Sequence, residues 1–187
     1  MNKLIIDDNQ FKALVAKTCR EIMLSDWRPD YIVGITRGGL LPAVMISQYF
    51  NVPMHTLNVS LRDNQTDIGP ESNLWMAEDA FGYVNTEDRE FTEGDRSSIE
   101  NCRHILIVDD INDQGTTLNW IMEDWKSGCL PDDTRWNHVW NQNVKFAVIV
   151  DNLASKCDVK MDYVGMEVNK AENDVWIEFP YEEWWTK

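Results

Sequence analysis

The chain has 187 residues, 43% of them hydrophobic and 26% charged, with a formal net charge of −15. That length suits one domain with a full hydrophobic core. The acidity argues against a nucleic-acid partner, whose footprint is a basic patch, but leaves small anionic substrates open, because a helix N-terminus or a glycine-rich loop binds phosphate inside an acidic protein.

The opening run Leu4-Ile5-Ile6 is broken at once by Asp7-Asp8, unlike a secretory leader. No apolar stretch approaches the roughly 20 residues of a bilayer span, so no membrane partner is expected. Apolar Phe11, Leu14, Val15, Ile22 and Met23 recur at helical spacing between about residues 10 and 25. After Pro29-Asp30, Tyr31-Ile32-Val33-Gly34-Ile35 reads as a buried strand, Thr36-Arg37-Gly38-Gly39 as a tight turn, and Leu40 to Tyr49 as a helix ended by Asn51-Val52-Pro53. Met54 to Val59 is a second strand.

Residues 61–100 then hold eleven Asp and Glu against three Arg, with Gly69-Pro70, Gly82 and Gly94 as breakers. A segment this long without periodicity is a functional lid or disordered; Leu74-Trp75-Met76 and Ala80-Phe81-Gly82-Tyr83 supply aromatics that argue for partial order. Ile105 to Val108, ending in Asp109-Asp110, has the continuous apolar character of a central parallel strand. A helix follows from about Thr116 to Lys126, with Gly128 placed to stop it. Residues 131–143 form a polar, tryptophan-bearing connection, Val144 to Val150 a further buried strand, and the tail holds short extended pieces near Asp162-Tyr163-Val164 and Val175 to Phe179. Strands alternating with helices imply a parallel α/β sheet. Cys19, Cys102, Cys129 and Cys157 are as scattered as His55, His104 and His138, so no zinc spacing is present and a reduced, cytoplasmic setting is expected.

The chemistry concentrates in Ile107-Val108-Asp109-Asp110-Ile111-Asn112-Asp113-Gln114-Gly115-Thr116-Thr117. A buried strand delivers two carboxylates to the carboxyl edge of the sheet, where open α/β sheets bind ligands. A short loop then opens a helix whose N–H groups and threonine hydroxyls can cradle a phosphate. Acceptors for hydroxyls or magnesium beside an anion cradle describe a sugar-phosphate site, and the Walker phosphate loop is absent.

This run resembles, position by position over about thirteen residues, the phosphoribosyl-pyrophosphate signature of the type I phosphoribosyltransferases. The resemblance implies a Rossmann-like parallel sheet with helices on both faces and a small C-terminal hood lobe. It also implies one domain over residues 1–187: a core of about 10–152, an acidic lid-like excursion at 60–100, and a base-binding hood of about 153–187. Asp109 and Asp110 inherit the ribose hydroxyls and the holding of Mg2+, directly or through the ribose hydroxyls or water. Asp113, Gln114, Gly115, Thr116 and Thr117 inherit the 5′-phosphate, and Asp113 also the proton transfer. Arg37, Gly38 and Gly39 stand where the family keeps its pyrophosphate loop. Asp174 to Glu182 is similar to the C-terminal segment of the xanthine-guanine and hypoxanthine enzymes, which assigns Trp176 and Ile177 to the purine.

Those enzymes carry a lysine after the strand matching Val144 to Val150; here Asp151-Asn152-Leu153 stands instead, and Asn152 takes the purine-facing position. Arg62 and Trp75 are candidate lid contributors. The activity implied is transfer of the 5-phosphoribosyl group to N9 of guanine, hypoxanthine or xanthine in purine salvage, by a dimer or tetramer. The alternatives are a non-catalytic nucleotide-binding regulator on the same fold and a transferase for another base.

Overall fold

In the computed structural model, residues 2–59, 73–83 and 99–186 are described. Five strands form one parallel sheet: β2 (Tyr31–Ile35), β3 (Met54–Leu57), β4 (Ile105–Asn112), β5 (Val144–Asn152) and β6 (Tyr163–Val168), in the order β3-β2-β4-β5-β6. Alternation along each strand sorts the core onto two faces. Tyr31, Val33, Ile35, Ile105 and Ile107 face one way, with α3 (Leu74–Phe81) and α4 (Thr116–Gly128). Ile32, Leu106, Val108 and Ile149 face the other, with α1 (Asp8–Leu24) and α2 (Leu40–Phe50). Gly34 is needed for this second layer, since a Cβ there would stand 2.8 Å from that of Ala43 on α2.

The strand order reverses at β2: β3 lies on one side and β4 on the other. The loops after β2 and β4 therefore diverge at their carboxyl ends and leave a crevice. The connection after α4 is better packed than its polarity suggests. Trp136 is buried, stacks on Trp140 at 5.5 Å, and donates its indole N–H to the Cys129 carbonyl at 2.8 Å. Burial of a side chain of this size contributes about 3 kcal/mol.

A second, two-stranded sheet pairs β1 (Asn2–Ile5) in parallel with β7 (Val175–Glu178). The lobe at the C-terminal end thus recruits the N-terminus, and its boundary falls later than expected, because β6 belongs to the main sheet. Asp7-Asp8, which breaks the first apolar run, begins α1: Asp7 Oδ1 accepts from the Gln10 backbone N–H and Gln10 Oε1 accepts from the Asp7 N–H, a reciprocal cap. Gly128 is the last residue of α4 and not its left-handed stop; Leu130 takes the positive φ of 49°. Of the 60–100 excursion, only α3 and its flanks and residues 99–100 are described, and Arg62 lies outside the described residues.

Candidate active site

β4 carries Asp109 and Asp110 out of the core to the carboxyl edge of the sheet. Asp110 Oδ1 accepts from the Ile111 N–H at 2.9 Å, and Oδ2 accepts from the Tyr181 hydroxyl at 2.7 Å. Burial, and then the Asp110 charge, pushes the Tyr181 hydroxyl far above its ordinary value. Phe179 stacks on Tyr181 at 5.4 Å, and Phe11 of α1 meets the pair edge-on, so the phenol is held in place over the carboxylate.

The loop after β4 closes around Gly115, at φ +83°. A Cβ there would sit 2.4 Å from the Cys157 backbone nitrogen, so the position demands glycine on both counts. The residues after β5 press against this loop: Lys156 donates its N–H to the Gln114 carbonyl at 3.2 Å, and Asn119 donates to the Lys156 carbonyl at 2.9 Å. Gly115, the N-cap of α4, has no side chain to cap it, which leaves first-turn N–H groups for an anion. Asp109 and residues 111–118, including Gln114, Thr116 and Thr117, enclose a cup of about 30 Å³ at that end.

Across the crevice, the turn after β2 presents Arg37, exposed, on a cis Thr36–Arg37 peptide. A Cβ on Gly38 would overlap the Asp110 carboxylate, 1.9 Å from Oδ2, and one on Gly39 would lie 2.5 Å from the Val108 carbonyl. The first glycine lets the turn meet the acid; the second lets it pack on β4.

These parts border one open cleft of about 860 Å³, a size proper to small-molecule sites. Arg37, Gly38, Asp109, Asp110, Asp113, Thr117, Trp176 and Ile177 line it, while Gly39, Gln114, Gly115 and Thr116 shape its walls from behind or border the cup. Trp176 is the one outward-facing residue of β7, at 38% exposure.

Two expectations fail. Asn152 is buried at 6% exposure and does not line the cleft. Its Nδ2 donates to the Asp113 carbonyl at 2.8 Å, and its Oδ1 accepts from the N–H groups of Ala154 and Lys170 at 3.2 and 3.0 Å. An amide spent this way holds two loops and cannot read a base. Trp75 lies on α3 and packs against His55 and Tyr31, with ring centres 4.9 and 5.8 Å away; it flanks β2 and β3 and does not reach the cleft.

Among the lining residues that escaped the sequence reading are Tyr181, Trp185 and Lys170. Lys170 Nζ lies 2.8 Å from Asp113 Oδ1 with only 16% of its side chain exposed. Tyr181 and Trp185 sit in the aromatic tail already suspected of base binding, but nothing in sequence singles out Lys170.

The fold and cleft define an α/β protein with an open crevice at the switch point of a parallel sheet. A family model described as the phosphoribosyl transferase domain matches residues 3–183, and the chain belongs to that family. It is 22% identical over 200 residues to a hypoxanthine-guanine phosphoribosyltransferase of Schizosaccharomyces pombe, covering 96% of this chain and 89% of that one. It is 24% identical over 183 residues to the bifunctional protein PyrR of Pasteurella multocida, covering 93% and 88%. A purine phosphoribosyltransferase structure from Pyrococcus horikoshii Ot3 superposes with a TM-score of 0.62 at 22% identity, over 98% and 96% of the two chains.

Proposed function

We propose that this protein transfers the 5-phosphoribosyl group of phosphoribosyl pyrophosphate to N9 of a 6-oxopurine, releasing pyrophosphate. The observation that carries this is the convergence, on one cleft, of the Asp109–Asp110 pair, the Arg37 turn, Asp113 and the Trp176–Ile177 segment. Asp109 and Asp110 accept the ribose hydroxyls through charge-assisted bonds. The cup at the head of α4 takes the 5′-phosphate. Arg37 and the backbone of its turn meet the pyrophosphate, and Trp176 stacks on the base. Asp113, at the mouth of the cup, manages the purine proton.

Among the described residues, no three His, Cys, Asp or Glu side chains converge on one point. The donor set is two adjacent carboxylates facing a cleft. That fits magnesium, which is held by one or two carboxylates with substrate phosphates completing its shell. Asp109 and Asp110 are the residues that would hold it, directly or through the ribose hydroxyls, and it would neutralise charge on the departing pyrophosphate. Bond cleavage at the sugar builds oxocarbenium character, so the protein's task is charge stabilisation and exclusion of water.

The PyrR relative stands as near in identity as the salvage enzyme, so overall likeness does not choose the base; the aromatic lobe supports a purine. The test is pyrophosphate release from phosphoribosyl pyrophosphate and magnesium with guanine, hypoxanthine, xanthine, adenine and uracil offered singly. Release with the three 6-oxopurines and not with adenine or uracil is expected. Release with uracil alone overturns the purine reading, and no release with any base overturns the transferase reading.

A further inference from the structure

We infer that Tyr181 is a positioning residue for the sugar: it fixes the Asp110 carboxylate from the C-terminal lobe and so strengthens phosphoribosyl-pyrophosphate binding without touching that substrate. The assignment rests on the ribose-binding part given to Asp110 above. Three segments of the chain meet at this one carboxylate. From β4 itself, the Ile111 N–H donates to Asp110 Oδ1 at 2.9 Å, and the Asp110 N–H donates to Asp109 Oδ1 at 2.9 Å. From the turn after β2, Gly38 leaves empty the space a side chain would fill, and the Asp110 carboxylate occupies it. From the tail after β7, the Tyr181 hydroxyl donates to Asp110 Oδ2 at 2.7 Å.

The phenol is itself held. Phe179, fully buried, stacks on it within 6° of parallel, and Phe11 meets it edge-on with ring centres 5.8 Å apart. The Glu182 N–H donates to the Phe179 carbonyl at 3.0 Å, which closes a turn around the residue. Burial and the Asp110 charge keep the hydroxyl protonated, so it stays a donor. An ionised carboxylate offers about four lone-pair directions; Ile111 and Tyr181 use two, which leaves two for ribose hydroxyls. Without the hydroxyl, the only hydrogen bond to the carboxylate comes from β4, and binding the sugar must also pay for fixing its orientation. With it, the acceptor directions are set before the sugar arrives. Tyr181 follows the strand that carries Trp176 and Ile177, so the lobe assigned to the base contributes to the sugar site as well.

The test measures phosphoribosyl-pyrophosphate affinity by calorimetry, together with kcat and KM, for wild type, Tyr181→Phe, Asp110→Asn and the double variant. Phenylalanine keeps the ring packing and removes only the hydroxyl, and urea unfolding of each variant checks the fold. Tyr181→Phe is expected to weaken binding about 10-fold, the low end of what a hydrogen bond to a charged group contributes. The KM for phosphoribosyl pyrophosphate rises by as much, while kcat at saturation stays within about 3-fold, the pattern of lost uniform binding. In Asp110→Asn the hydroxyl meets a neutral amide, a partner about half as strong, so adding Tyr181→Phe there costs no more than about 3-fold. Unchanged affinity in Tyr181→Phe overturns the assignment, whatever the urea midpoint does. The same loss of about 10-fold in both backgrounds overturns it in favour of a hydroxyl that touches the substrate itself. A fall in kcat of more than about 10-fold at saturation overturns it in favour of one that meets the reacting atoms. A wild type that binds phosphoribosyl pyrophosphate but uses no base removes the transferase reading and leaves the assignment to be decided by calorimetry, whereas one that binds none removes both.

Discussion

Replacement of Asn152 tests how the site is held together. The side chain makes three bonds to backbone groups of Asp113, Ala154 and Lys170. A buried hydrogen bond contributes a net of about 1 kcal/mol, so Asn152→Ala is expected to cost about 3 kcal/mol. This is a large share of a domain stability of about 5–15 kcal/mol, yet compatible with a folded protein at 25 °C. Asn152→Lys should cost at least as much. It places three donors and no acceptor against the two N–H groups that Asn152 Oδ1 now satisfies, at a position 6% exposed. Urea unfolding followed by tryptophan fluorescence reads both changes as shifts of the midpoint. Turnover should fall in Asn152→Ala as well, since Asp113 and Lys170 lose their common anchor. If Asn152→Ala lies within about 0.5 kcal/mol of wild type, the range of ordinary surface substitutions, the clamp is refuted. An Asn152→Lys protein of wild-type stability with altered base preference would return Asn152 to base recognition.

Asp113→Asn should retain phosphoribosyl-pyrophosphate binding while losing about 10²- to 10⁴-fold in kcat, the usual contribution of a positioned proton-transfer group; single-turnover measurements check it, and near wild-type turnover removes Asp113 from the chemistry. Gly38→Ala brings a methyl group into the Asp110 carboxylate, so phosphoribosyl-pyrophosphate affinity by calorimetry should drop at least 10-fold, about 1.4 kcal/mol, and unchanged affinity counts against Asp110 as a ribose ligand. Burial raises the Asp151 carboxyl above its ordinary value, against the opposing bond from Asn112. An acid whose folded pKa exceeds its unfolded value of about 3.9 makes the folded state lose stability as pH rises through that window. Asp151→Asn keeps the acceptor for Asn112 and removes the titration, so its stability relative to wild type should improve between pH 4 and pH 6.5; an equal difference at both pH values rules this out.

Much of the site was legible because its parts are contiguous. The run from Ile107 to Thr117 carries strand, acids, loop and helix start in sequence order, and each local preference agrees with the fold. The Thr36 to Gly39 turn became readable from its place after a buried strand. What escaped depends on distant segments meeting. β1 is invisible as a strand because its partner lies more than 170 residues away in β7. Lys170 is one lysine in a polar stretch, and only the β6–β7 turn and Asn152 give it a direction. Asn152 was misjudged because a position aligned with a base-reading residue says nothing of which way the side chain points. One missed signal was local: Asp7 followed three residues on by Gln10 is a helix-cap pattern, and it marks the start of α1 at Asp8, two residues before the expected start at about residue 10.

The pairing of β1 with β7 makes the lobe that carries Trp176 a joint product of both ends of the chain. Lys3 reaches Glu178 at 2.8 Å, and the Ile6 N–H donates to the Glu178 carbonyl at 2.9 Å. Exchanging lobes with a relative to change the base it accepts therefore means transplanting residues 2–6 together with the tail. A graft of the tail alone would set β7 beside a first strand whose side chains were chosen for another partner. Extensions or fusions joined ahead of residue 2 likewise act on the strand that pairs with β7.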